Sequence, residues 1–208
     1  MDDEGKATYC FPPEVAWDHL LVNESAVNLC SELDAVCFGS LAQRSEHSGR
    51  AIHGFLDTLR RETLKVFDIN LRQDFYSRPV IISSLKRADI LKLNEEELPV
   101  LGRLLELKGA RETWLPGLIA RYCLKMVILS KGASGSLLMT AETSSEHSGI
   151  VTHVEDTIGA GDAFTAAATI GYLRGMALSD INEQANIIAA YVCSQQGGMP
   201  DMPESMKI

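Results

Sequence analysis

Asp156-Thr157-Ile158-Gly159-Ala160-Gly161-Asp162-Ala163-Phe164 is the stretch from which the rest of the chain is best read. Two glycines flank an alanine, an aspartate follows at once, and an apolar run of helical character continues through residues 160–173. Backbone N–H groups without acceptors gather at a helix N-terminus, so this order makes a seat for an anion with a carboxylate at its rim. A carboxylate beside a bound phosphate is repelled by it, which makes Asp162 a poor phosphate binder. It suits a general base that takes the proton from a hydroxyl attacking that phosphate, a role worth about 10²–10⁴ in rate. The amides of Gly159, Ala160, Gly161 and Asp162 would then steady charge on the transferring group. The plainer reading is an aspartate that helps start a helix, worth about 0.3–1 kcal/mol through the dipole. Taken together the stretch reads as phosphoryl transfer to an alcohol.

Working outward, short apolar runs alternate with amphipathic ones. Strands are expected over residues 6–11, 34–38, 64–69, 88–93 and 126–130, with hairpin-like strands over 135–140 and 150–154. Ala51, Ile52, Phe55, Leu56 and Leu59 recur at helical spacing, which predicts a helix over 48–60. Further helices are expected over 95–105, 112–124, 160–173 and 179–193, and a loop over 141–149. Strand–helix alternation of this kind argues for an α/β domain with a largely parallel central sheet flanked by helices.

Composition narrows the class. The 208 residues suit one domain, with 46% apolar and 23% charged residues, as in ordinary globular proteins. A net charge of −9 argues against nucleic acid and anionic membrane surfaces as partners. Cys10, Cys30, Cys37, Cys123 and Cys193 are odd in number and share no paired spacing, which fits reduced thiols in the cytoplasm. The acidic start Met1-Asp2-Asp3-Glu4 has no signal-peptide character, and no run approaches the roughly 18 apolar residues of a membrane span. The five histidines form no pattern with each other or with cysteine, and no Walker-type or dinucleotide fingerprint is present.

The nonapeptide closely resembles the signature of the ribokinase-like (PfkB) carbohydrate kinases, and the resemblance extends from about Gly5 to about Gly198. It implies a ribokinase-like fold over residues 1–208, with residues 1–15 as a remnant of a small β lid. It also implies ATP as phosphoryl donor, Mg²⁺, a small sugar as acceptor, and allows K⁺ and a homodimer. Asp162 then matches the catalytic base and Gly159-Ala160-Gly161 the anion hole. Ser130-Lys131-Gly132-Ala133-Ser134-Gly135 resembles the nucleotide-binding turn, although Gly-x-x-Gly also makes an ordinary hairpin. Asn94 and Glu97 are placed as an N-cap and its capping-box partner. They also match an Asn-x-x-Glu element near Mg²⁺ and the phosphates. Asp68-Ile69-Asn70-Leu71-Arg72 matches a segment in which Arg72 meets phosphate or sugar oxygen, against a turn held by Asx side chains. Asn186 and Ala189 resemble the helix that walls the adenine pocket. Asp156 and the carbonyl of Ile158 match positions that hold a monovalent cation in some members, while a turn-closing aspartate serves equally well.

Members of the family begin with a strand and loops that bear a sugar-binding aspartate and a Gly-Gly segment, and nothing before position 5 matches them. A sheet edge left without its neighbour is therefore expected, and such edges are prone to association. Ala16-Trp17-Asp18 resembles fructokinase-like members. Two readings follow: an ATP-dependent sugar kinase of fructokinase type, or a non-catalytic remnant that binds nucleotide or a partner.

Overall fold

In the computed structural model, which describes residues 11–206, the apolar runs become strands β1 (Ala35–Gly39), β2 (Leu64–Asp68), β3 (Ile90–Asn94) and β4 (Met126–Ser130), with β5 (Ser136–Met139) and β6 (Ser144–His147) behind them. They lie side by side in chain order, the first four parallel and the last two antiparallel. The helices are α1 (Glu24–Leu29), α2 (Glu46–Thr58), α3 (Arg78–Leu85), α4 (Glu97–Leu104), α5 (Trp114–Tyr122), α6 (Ala160–Leu173) and α7 (Leu178–Cys193). Parallel neighbours need a crossover, and α2 to α5 supply it between successive strands.

Strands β2, β3 and β4 are buried on both faces, and side-chain alternation deals the residues of the sheet to two cores. Phe67, Leu91, Leu93, Val127 and Leu129 join Leu56, Ile81, Leu101 and Leu118 from α2 to α5. On the opposite face Leu64, Val66, Ile90, Met126 and Ile128 join Phe164, Ala167, Ala168, Ile181 and Ala185 from α6 and α7. The same alternation carries Asp68 and Lys92, two residues beyond Val66 and Ile90, onto the face covered by α6.

Three expectations need correction. Residues 150–154 form no strand: Val151 and Val154 are exposed and instead wall a cavity. The sixth strand is Ser144–His147, inside the stretch read as a loop. It is polar because it lies at the sheet edge with half its surface in water, so hydrophobicity does not mark it. Helices α1 and α3 also went unread. In α3 Pro79 falls in the first turn behind the N-cap Ser77, where a proline starts a helix rather than breaking one. The strand expected over 6–11 and most of the lid remnant over 1–15 lie outside the described residues. Phe11 to Val15, which are described, form no strand. Among the described residues β1 pairs only with β2, so its outer edge is open as expected. No helix among them is long and apolar enough to cross a membrane.

Candidate active site

The nonapeptide forms the entry to α6. Gly159 caps the helix with φ +80°, a conformation glycine adopts without strain. A Cβ there would also lie 2.2 Å from the Gly198 carbonyl oxygen, so the C-terminal segment packs directly on this turn. No side chain caps the helix. Among the described residues the Gly161 and Asp162 amides have no backbone acceptor outside the helix. Phe164, Ala167 and Ala168 are buried against the sheet and hold the turn in place, while Asp162 faces solvent.

Two cavities meet at this turn. The first, about 490 Å³, is walled by Ser130, Gly132, Ala133 and Gly135 after β4, by Thr157, Ala160 and Gly161, and by Asn186, Ala189 and Cys193 of α7. Gly149, Ile150, Val151 and Val154 close its outer side. Its lining is mostly apolar and backbone, suited to a flat ring joined to an anion. The second, about 550 Å³, is walled by Cys37, Phe38 and Gly39 of β1, Asp68 and Asn70 after β2, and Asp162, Thr165 and Thr169 of α6. Gly161 therefore belongs to one cavity and Asp162, the next residue, to the other. Both lie at the carboxyl ends of parallel strands, where ligands of open α/β sheets bind.

Beneath the turn sits a buried ion pair. Asp68 and Lys92 are direct partners in the β2–β3 register. The Lys92 Nζ lies 3.0 Å from one Asp68 carboxylate oxygen and 3.2 Å from the other. Thr165 Oγ1 reaches both that carboxylate, at 3.3 Å, and the Gly161 carbonyl oxygen, at 2.9 Å. Removal from water pushes the Asp68 carboxyl upward from the ordinary range, and the Lys92 charge opposes that push. Glu97 is likewise pushed up by burial, against the backbone N–H groups of Asn94 and Leu71.

Each residue singled out from the sequence now has a position. Asn94 Oδ1 accepts from the Glu96 and Glu97 amides at 2.9 Å, and Glu97 returns a carboxylate oxygen to the Asn94 amide at 2.8 Å. The other Glu97 oxygen accepts from the Leu71 amide at 2.8 Å, so the loop after β2 is tied to the start of α4. Among the described residues no three His, Cys, Asp or Glu gather as a metal-holding group. Asp156 Oδ1 accepts from the Ile158 amide at 2.9 Å, which is the turn-closing arrangement. Ser130, Gly132, Gly135, Asn186 and Ala189 all line the first cavity.

Five of the candidate side chains line neither cavity: Asn94, Glu97 and Asp156, bonded as described, together with Lys131 and Arg72. Lys131 turns to β6 and pairs with Glu146. Arg72 is half-buried, donates to the neighbouring Leu71 carbonyl, and lines neither cavity. The backbone is left-handed on either side of it, at Asn70 with φ 39° and at Gln73 with φ 46°. Asn186 is at the cavity wall with its amide nitrogen committed: it donates to Ser136 Oγ and to the Asn182 carbonyl, each at 2.8 Å. Ser136 in turn donates to Asn182 Oδ1, and Asn182 donates to the Ser145 carbonyl at 2.9 Å. This buried network ties α7 to β5 and β6 and was not foreseen. Lys92 was not foreseen as a site residue either. Its signal was present: a charged residue inside the otherwise apolar run Ile90-Leu91-Lys92-Leu93 asks for a buried partner.

An uncharacterized sugar kinase of Pyrococcus horikoshii is 28% identical over 193 residues, covering 88% of this chain and 58% of that protein. A fructokinase of Rhizobium leguminosarum bv. trifolii is 26% identical over 167 residues, covering 78% of this chain and 50% of that protein. The chain thus spans about half the length of these relatives. The solved structure of the Pyrococcus kinase in complex with ATP superposes with a TM-score of 0.76 at 27% identity, over 92% of this chain and 62% of that one. An aminoimidazole riboside kinase from Salmonella enterica shares the fold, with a TM-score of 0.69 at 24% identity over 84% of this chain and 61% of that one. The model of the pfkB family carbohydrate kinases matches residues 14–205, and the chain belongs to that family.

Proposed function

We propose that this chain carries the donor side and the transfer point of an ATP-dependent sugar kinase of fructokinase type, acting in the cytoplasm. The observation that supports this most is the division at the first turn of α6, with Gly161 on the wall of the first cavity and Asp162, the next residue, on the wall of the second. A nucleotide in the first cavity presents its terminal phosphate to the free amides of Gly161 and Asp162. A hydroxyl in the second meets the Asp162 carboxylate. Asp162 takes the hydroxyl proton as the oxygen attacks the γ-phosphorus, and the bond from that phosphorus to the ADP oxygen breaks. The amides hold the charge that develops on the transferring group. Ser130, Gly132 and Gly135 bring backbone up to the nucleotide, and Asn186 and Ala189 give a flat wall for the base.

Asn94 and Glu97 would hold Mg²⁺ through its waters, and Asp156 with the Ile158 carbonyl would hold K⁺. When bound, these cations neutralise phosphate charge. The Pyrococcus relative solved with ATP supports the donor assignment. The fructokinases among the relatives, together with Ala16-Trp17-Asp18, support fructose as acceptor. Free Cys30, Cys37, Cys123 and Cys193 are compatible with a reducing compartment.

The test is ADP release from Mg-ATP by the purified chain, with and without fructose, ribose or 2-keto-3-deoxygluconate. A sugar-specific signal lost in Asp162→Asn is the expected result. ATP consumption unchanged by that substitution would overturn the assignment of the base. Nucleotide binding with no turnover on any sugar favours the alternative, a non-catalytic remnant that binds nucleotide or a partner.

A further inference from the structure

We propose that Lys92 is a positioning residue of the transfer point. It is a buried ammonium that clamps the first turn of α6 to the sheet and places positive potential between the two cavities. The proposal rests on the kinase reading above.

Lys92 is the third residue of a strand whose other inward positions are leucine and isoleucine, and it is 7% exposed. Stability alone does not call for a lysine at such a place. Replacing a buried ion pair by apolar residues of similar volume is often neutral or stabilising. What Lys92 touches suggests another role. Its ammonium is paired with Asp68, Asp68 meets Thr165, and Thr165 meets the Gly161 carbonyl. That chain of contacts links β2, β3 and the entry of α6. The ammonium also lies directly behind the turn, because a Cβ placed on Gly161 would be 3.5 Å from Nζ.

The surroundings of Lys92 are acidic. Its charge acts on Asp68 and Glu97, and Asp162 acts on Asp68 in the opposite sense. The phosphate seat is thus flanked by three carboxylates, with one buried lysine set among them. Lys92 itself lines neither cavity. It therefore acts through the turn it holds and through its field, which is weakly screened where water is excluded. A terminal phosphate gains from that field, whereas a diphosphate that stops short of the turn gains much less.

The experiment compares dissociation constants of Mg-ATP and Mg-ADP for the full chain and for Lys92→Met, which keeps length and removes charge. The expected result is a loss of about tenfold or more in ATP affinity relative to ADP. With the sugar that supports turnover, kcat should fall by a larger factor than KM rises. Lys92→Arg should restore part of the ATP-over-ADP ratio. A ratio in Lys92→Met equal to that of the parent chain would overturn the proposal.

Should Lys92→Met not fold because Asp68 is left as a lone buried charge, the double variant Asp68→Asn with Lys92→Met is compared with Asp68→Asn alone, a pair that differs only at Lys92. A folded double variant with the same ATP-over-ADP ratio as Asp68→Asn likewise overturns the proposal. If the parent chain binds neither nucleotide, the kinase reading itself falls and this inference falls with it. If the parent distinguishes the nucleotides and the variants do so equally, only the role of Lys92 is lost.

Discussion

The two cavities that meet at α6 are built from different materials. The first, proposed for the phosphoryl donor, is made largely of backbone and small residues that lock one another in place: a Cβ on Gly135 would lie 2.0 Å from the His147 carbonyl oxygen, and one on Gly149 2.4 Å from that of Ala133. Behind it the Asn182–Ser136–Asn186 network satisfies its buried polar atoms internally. The second, proposed for the acceptor, sets the carboxylates of Asp68 and Asp162 in a wall of small, apolar and threonine side chains, and it stops at β1, whose outer edge has no strand beside it among the described residues. The difference teaches where sensitivity should lie. Donor-side lesions should act through shape and stability, and acceptor-side lesions through charge and chemistry.

The largest effect expected is chemical. Asp162→Asn should lower sugar-dependent ADP formation by about 10²–10⁴ while leaving Mg-ATP affinity within a few-fold, measured by steady-state kinetics beside calorimetric titration. Loss of both together would break the contrast between the two sides.

Next comes Gly135→Ala, which forces a methyl into backbone at a position with φ +85°. A destabilisation of about 2–4 kcal/mol is expected, seen as a lower melting temperature with weakened ATP binding. An unchanged melt would mean the interlocking hairpin is not what holds the donor wall. Asn182→Ala should cost about 1–3 kcal/mol by leaving Ser136 and Ser145 without their partner. Denaturant titration measures it, and the same variant should bind ATP more weakly through displacement of Asn186.

The smallest effect concerns the segment that precedes β1 and its tie to the loop before α2. Arg44 donates to both Asp18 oxygens at 2.7 Å and to the Phe11 and Pro12 carbonyls. The Arg44 guanidinium holds the Asp18 carboxyl down at about 2. A carboxyl depressed in the folded state contributes stability that is present above its unfolded pKa of about 3.9 and fades as pH falls through the folded value. Arg44→Met should therefore lower the melting temperature at pH 6, and the gap from the parent should narrow toward pH 2. A gap independent of pH would assign the contribution to packing against Trp17 and Phe75 instead.

Much of the fold was legible because it is local. The runs at β1 to β5 and the helices α2, α6 and α7 announce themselves by period and by apolar length, and α6 was read at its observed limits. The polar edge strand β6 and the proline-started α3 were not legible by that signal, since one buries little and the other hides its start behind a residue usually read as a breaker. Of the candidate site, Gly161, Ser130, Gly132, Gly135, Asn186 and Ala189 fall around one cavity and Asp162 borders the other, while Arg72 and Lys131 turn away.

That Gly159–Asp162 turn into a helix with N–H groups left open at its start could be read from the chain alone, because a glycine-rich turn before an apolar helix has this character whatever surrounds it. That Asp68 and Lys92 stand side by side beneath this turn could not, and came only with the assembled fold. Alternation along a strand tells which residues share a face, but strand register and the helix that covers that face are set by packing of parts far apart in the chain.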